Sequence, residues 1–344
     1  MSEVRRLLDD TVERLFAGAV TPERIVAAER GVWHADLWRA VEAHGLATAH
    51  LGEAAGGAGA TWREACTVAR ASGRHAAPLP LAETMLAAWL LERAGLPVPP
   101  GPLTVAPTPV TPPGRASSAR LERVPWGRHA GHVVVTWPEA GGLGIGIVAA
   151  PAPVAEACNL AREPRDDLEV AAPPLAAGRA SLPADTVTSY GALLRTAQMA
   201  GALETVLDLS VRYATERVQF GRPIGQFQAI QQELARLAGM VAAAGVAAEV
   251  AGRAAADAAA GGDPTPEIAA AKVVVGDAAE HAPRIAHQVH GAIGFTYEHR
   301  LQFFTRRLWS WRAEFGTAET WAERLGASVL AGGAAALWPA ITAR

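Results

Sequence analysis

The chain has 344 residues, half of them hydrophobic, with 31 basic against 34 acidic side chains and a formal net charge of −3. That length predicts two or three domains at roughly 100–200 residues each, and the apolar content excludes a disordered chain. The near balance of charge argues against nucleic acid as the main partner, because such proteins carry a basic excess.

The first hundred residues read as helices. Val4, Leu7, Leu8, Val12 and Leu15 recur at helical spacing. The charges between Glu3 and Arg14 leave no uncharged apolar stretch, so no signal peptide is expected. Thr21 followed by Pro22 is a helix start: a capping hydroxyl, then a ring already fixed at helical φ. Leu37, Trp38 and Val41 continue a short helix that Gly45 can end. Gly56, Gly57 and Gly59 mark a loop. Residues 62–72 and 81–94 read as two further helices, separated by Pro78 and Pro80.

From Pro97 to about Pro183 prolines and glycines become dense and the helical period disappears. Residues 132–136 and 143–148 are β-rich, so a small β domain with many turns is expected. Gly142, Gly144 and Gly146 do not make a dinucleotide fingerprint: the last glycine of that pattern is missing and no strand–turn–helix surrounds them. They are expected to lie in a strand.

From Asp185 onward the chain is helical again, over residues 189–217, 230–260, 265–290, 297–311 and 318–330. Gly261, Gly262 and Pro264 punctuate it. Long helices with short connections imply an antiparallel bundle. The most apolar run, residues 238–252, contains Glu249 and falls short of the roughly 20 residues a membrane span needs. Cys66 and Cys158 cannot staple a chain of this size, which fits a reducing cytoplasm. His287 and His290 lie three apart, but no third ligand is evident for a metal.

The sharpest segment is RYATERVQFGRPIGQFQAIQQ, residues 212–232. Arg217 ends a helix where a guanidinium could grip a phosphate through two hydrogen bonds. Phe220 could stack on a flat ring, and Gln219 and Gln228 offer donors and acceptors to a base edge. The plainer reading is a salt bridge for Arg217 and a core position for Phe220.

These residues resemble the R-x-Q-F-G-x-P-I-x-x-F-Q motif of the acyl-CoA dehydrogenase family, through Arg217, Gln219, Phe220, Gly221, Pro223, Ile224, Phe227 and Gln228. Residues 288–295, QVHGAIGF, resemble the family's Q-x-x-G-G-x-G-[FY], with Ala292 in place of one glycine. Leu37-Trp38, Gly45-Leu46 and Gly56-Gly57-Ala58-Gly59 resemble its first helical domain. The resemblance implies an α+β, mostly α fold in three domains: helices over 1–98, a short β domain over 99–184, and a helical bundle over 185–344. It implies FAD as cofactor, an acyl-CoA substrate and an electron-accepting flavoprotein. It also implies assembly as a dimer or tetramer, with copies of itself or with a related chain. Arg217, Gln219, Phe220 and Gln228 match positions that hold the adenosine and pyrophosphate end of a neighbour's FAD. Gln288 and Gly291 match a loop touching the same end, and Thr317 a hydroxyl near the pyrophosphate of the chain's own FAD.

The family removes an α-proton with a protein base while the flavin takes the β-hydride. That base is usually the glutamate of a Y-E-G-T motif, whose position here is Phe315, with Glu314 one place earlier. Some relatives carry the base on an earlier helix, where this chain has Gly191. Three readings follow: Glu314 is the base, a partner chain supplies the base, or the chain only completes a partner's FAD site. Glu314 could also be a solvated carboxylate near Arg306, Arg307 or Arg312. A base at Glu314 would need shielding that raises its pKa. The family's T-E-P-x-x-G-S-D loop and W-[IV]-T-N strand are missing; residues 103–107 and 124–126 are the nearest remnants.

Overall fold

Five helices open the chain: α1 (Glu3–Ala19), α2 (Pro22–Glu29), α3 (Ala35–Ala43), α4 (Trp62–Arg74) and α5 (Leu81–Arg93). Their starts follow from local chemistry. The Thr21 hydroxyl accepts from the Arg24 amide ahead of Pro22. Thr61 and Glu64 form a reciprocal capping box that begins α4. This computed structural model describes residues 3–111, 118–171, 174–258 and 262–342.

The middle of the chain is β. Strands β1 (Leu103–Val105), β3 (His132–Glu139), β4 (Gly142–Ala149) and β6 (Ala176–Ala180) form one sheet in the order β1-β3-β4-β6. The β1–β3 pair is parallel and the others are antiparallel. Strands β2 (Ser118–Pro125) and β5 (Arg165–Ala171) form a separate antiparallel ribbon. The glycines at 142, 144 and 146 lie in β4, as expected. A Cβ on Gly144 would fall 2.1 Å from the Trp137 indole nitrogen, so the missing side chain gives that ring its place.

The C-terminal helices are α6 (Thr186–Glu216), α7 (Gln228–Asp257), α8 (Thr265–His290), α9 (Leu301–Trp311), α10 (Ala318–Gly332) and α11 (Ala334–Thr342). A two-residue hairpin, β7 (Val218–Gln219) with β8 (Arg222–Pro223), joins α6 to α7. The sequence reading missed α11, whose Pro339 and uniformly apolar run conceal any period. Gly261 of the anticipated turn lies outside the described residues.

The expectation about membrane spans needs a correction. Helix α7 is 30 residues long, with a mean hydropathy of 1.5 over its most apolar window. It passes a test of length and composition because alanine counts as apolar while burying little. Only 28% of that window is buried. The helix packs along α4, α6 and α8, and Arg5 and Arg63 ion-pair with its Glu249.

The two helical parts share one hydrophobic core, running from Val12 and Phe16 through Leu203 to Trp321, while the sheet side holds a smaller second cluster around Val133 and Leu168. The shared core depends on the α4–α6 crossing. A Cβ on Gly73 would lie 1.9 Å from the Gln198 carbonyl oxygen, and one on Gly201 1.9 Å from that of Arg70. Only hydrogen fits at either place. Gly201→Ala should therefore push the two helices apart and cost about 1–3 kcal/mol, the range for overpacking. Calorimetry showing an unchanged Tm would contradict this account of the crossing.

Candidate functional site

The two base positions of the motif comparison meet in space. Phe315 has φ +55°, a conformation that bulky side chains rarely adopt. Its ring lies on Gly191: a Cβ there would sit 2.3 Å from the ring's Cδ1. The absent side chain on α6 and the phenyl ring after α9 are thus complementary. Ala82, Leu86, Val105 and Leu194 complete the surround, and the space left is about 10 Å³. That is barely one water molecule.

Beside it runs a buried chain of alternating charges. The Arg195 guanidinium, 2% exposed, donates to Glu83, to the Gln198 side-chain oxygen and, through Nε at 2.7 Å, to Glu314. Arg165 donates to the other Glu314 oxygen through Nε at 3.0 Å and Nη2 at 2.5 Å. Arg165 also pairs with Glu163 at 3.3 Å, and Glu163 pairs with Arg307 at 3.3 Å. The Trp311 indole N–H donates to Glu163 at 2.9 Å. Asn159 and Ala161, on the segment leading into β5, bond to Glu314 and to the Ser310 hydroxyl. The β2–β5 ribbon is thereby fastened over the end of α9.

This geometry corrects the reading of Glu314 as a base. Burial pushes its carboxyl pKa up, but Arg165 and Arg195 more than reverse that and hold it at about 2. A base needs the opposite shift. The partners anticipated from sequence are also wrong: Arg306 pairs with Glu29, Arg307 with Glu163 and Arg312 with Glu280. Sequence could not have supplied Arg165 and Arg195, which lie 149 and 119 residues from Glu314. Lys272 was also missed. The chain's one lysine is fully buried, and its ammonium donates to the carbonyls of Trp311 and Arg312 at the end of α9. Burial lowers its pKa to about 7.

The other predicted residues gather at the far end of α6. Arg217 caps that helix, and its side chain is exposed with no ion pair among the described residues. Gln219, Gln228, Gln288 and Gly291 are exposed too. Phe220, anticipated by the plainer reading in the core, is 91% exposed at φ +52°. Tyr213 stacks on His290 at 4.6 Å, which places the hairpin beside the turn at 291–295. Thr317 is elsewhere. It caps α10, accepting from the Thr320 amide, near the N-terminus of α6 where Arg324 pairs with Asp185. By helix rise, positions 191 and 217 are roughly 40 Å apart.

His287 and His290 are packed among other rings. His287 stacks between Phe295 at 4.0 Å and Trp309 at 5.7 Å, and His290 lies 4.6 Å from His299. No group of three metal-ligating side chains occurs among the described residues.

Comparison with known proteins agrees with this architecture. The family description "Acyl-CoA dehydrogenase, N-terminal domain" matches residues 2–97 and "Acyl-CoA dehydrogenase, C-terminal domain" residues 184–330. Acyl-CoA dehydrogenase IpdE2 of Mycobacterium tuberculosis is 32% identical over 89% of this chain and 91% of its own length. Acyl-CoA dehydrogenase FadE34 of the same organism is 29% identical, with 96% of this chain and 48% of that protein aligned. Among solved structures, the Tcur3481-Tcur3483 steroid ACAD G363A variant superposes with a TM-score of 0.83 at 26% identity, covering 97% of this chain and 99% of that one. The ChsE4-ChsE5 complex from M. tuberculosis has the same TM-score at 24% identity, over 97% of this chain and 98% of its own, and supports the fold. The chain belongs to the acyl-CoA dehydrogenase family, whose members are oxidoreductases acting on acyl-CoA.

Two predictions follow from the ion chain and the stacked histidines. Unfolded Glu314 titrates near 4.5 and folded Glu314 at about 2, so its stabilising effect is complete above pH 4.5 and lost as pH falls towards 2. Glu314→Gln takes the shared carboxylate from two buried guanidinium groups, leaves one positive charge uncompensated and should cost about 3–5 kcal/mol at pH 7, with a flatter acid limb. Urea unfolding at pH 7 and pH 3 measures both, and an unchanged midpoint at pH 7 would refute the network's role. Burial lowers the His287 pKa from 6.5 to about 4. Its contribution is complete above pH 6.5 and fades as pH drops towards 4, so amide exchange in the 291–295 turn should quicken across that window. A pH-independent opening equilibrium, with intrinsic exchange corrected, would contradict this.

Proposed function

We propose that this chain is the silent member of a mixed acyl-CoA dehydrogenase assembly: it completes the FAD site of a related chain that carries the base. The observation that carries this reading is the Phe315 ring seated on Gly191, with neither family base position holding a carboxylate. Glu314, the nearest carboxylate, is bound by two guanidinium groups. We read the domains as 1–98, 99–184 and 185–344.

The residues fit FAD unequally. At the C-terminal end of α6, Arg217 is an exposed cation free to form two charge-assisted bonds with a diphosphate. The Phe220 ring stands out from its turn, and Gly291 at φ +64° brings backbone close to the surface. Gln219, Gln228 and Gln288 supply the remaining polar contacts. At the other end, the Glu163–Arg165–Glu314–Arg195 chain and the Phe315 ring occupy the interior, so the flavin ring end does not fit there. Thr317 is engaged in capping α10.

When bound, FAD supplies the hydride acceptor of the family's α,β-dehydrogenation. Arg217 would grip the diphosphate and Phe220 would shield the adenosine; neither would move a proton. Reoxidation falls to an electron-accepting flavoprotein. The paired chains named in the Tcur3481-Tcur3483 and ChsE4-ChsE5 structures support assembly with a related chain. So does α7, whose small side chains bury little area and leave much of the helix uncovered.

The test is flavin content and activity. The co-purified complex should hold a single FAD per pair of chains, and this chain alone should not oxidise acyl-CoA with an artificial electron acceptor. Arg217→Ala should weaken FAD binding by on the order of 1.5–3 kcal/mol. If instead the chain alone with FAD is active, and Glu314→Gln lowers that activity by about 10²–10⁴, Glu314 is the base and this reading fails.

A further inference from the structure

A second, larger cavity opens along the same pair of helices. It has a volume of about 600 Å³ and communicates with solvent. On α5, residues 82 and 86 line the closed space beside Phe315, whereas residues 89 and 93 line this chamber. These four recur at helical spacing and share one stripe. On α6 the division is the same, with Gly191 and Leu194 at the closed end and Ser189 and Tyr190 in the chamber.

One wall of the chamber is aromatic. The Trp62, Trp89 and Tyr190 rings touch in sequence: 5.2 Å between the two indoles, 4.7 Å from Trp62 to Tyr190 and 4.5 Å from Trp89 to Tyr190. The His50 imidazole leans on Trp62 at 5.0 Å. Such a surface favours a flat partner, which can stack or meet it edge-on.

Two polar groups in this lining lack a partner among the described residues. His50 Nε2–H donates to the Met85 carbonyl at 3.1 Å, which leaves Nδ1 as an acceptor. Among the described residues nothing bonds to that buried nitrogen or to the buried Ser189 hydroxyl. His50 is 8% exposed and Ser189 4%. Burial lowers the imidazole pKa to about 4, so at neutral pH the acceptor is uncharged. The mouth carries Arg93, Asp185 and Asp263, and Asp185 is already paired with Arg324 at 3.1 Å. A buried acceptor without a donor is destabilising, and a bound donor relieves it.

We propose that this chamber is a binding site for a flat, largely apolar ring bearing a hydroxyl or N–H donor. The ring lies on the Trp62–Trp89–Tyr190 wall and its donor reaches His50 Nδ1 or the Ser189 hydroxyl. No reaction is assigned to it, and it does not depend on whether the chain is catalytically silent.

The test uses two probes of one shape on the full-length chain: 2-naphthol, which has a donor, and 2-methoxynaphthalene, which does not. Calorimetry, with quenching of tryptophan fluorescence as a second readout, should show 2-naphthol binding about tenfold tighter than its ether. Ser189→Ala should weaken 2-naphthol by about three- to tenfold, and His50→Phe should reduce the preference between the probes. If His50→Phe does not fold, Ser189→Ala and the probe pair still decide. Equal affinity for the two probes, binding of neither, or indifference of 2-naphthol binding to both Ser189→Ala and His50→Phe would overturn the proposal. Preferential binding of free coenzyme A over 2-naphthol would also overturn it.

Discussion

The structure turns on one line of buried ions: Glu83, Arg195, Glu314, Arg165, Glu163 and Arg307. Each interior member lies between opposite charges, which is the condition under which buried ions are tolerated. The members come from α5, α6, α9, the turn after α9, β5 and the segment entering it. Removing any one would leave its neighbours with an uncompensated buried charge. The line therefore acts as a bolt through both helical parts and the β2–β5 ribbon.

That bolt also fixes the strained turn. With Glu314 held from two sides and Lys272 holding the carbonyls before it, the chain at Phe315 has little freedom. Its positive φ is sustained by these surroundings, as strained conformations require. The ring is directed onto α6, where Gly191 accepts it. A carboxylate at either position would have to displace packing that now closes the space. The two ends of α6 consequently differ: charge and an aromatic ring fill the space at Gly191 and Arg195, while the C-terminal end carries exposed polar and aromatic groups.

Much of the fold was legible in the residues. The helix starts at Thr21 and Thr61, the β character of residues 132–136 and 143–148, and the long C-terminal helices all rest on local chemistry and periodicity. The exposed Arg217–Gln228 hairpin was legible for a different reason: its residues are consecutive, so a motif in sequence is a motif in space. Helix α11 was not legible, because an apolar run without a period carries no signal of which face it buries. The chamber beside Tyr190 was equally hidden, since its walls are drawn from α4, α5 and α6.

The sequence by itself determined the order of elements, the family, and the absence of a carboxylate at positions 315 and 191. Tertiary structure alone decided what Glu314 is. A carboxylate's pKa depends on groups within a few ångströms, and here those groups are arginines more than a hundred residues away along the chain. Local sequence around Glu314 shows apolar neighbours that would permit a raised pKa. Folding brings Arg165 and Arg195 onto it and reverses the sign.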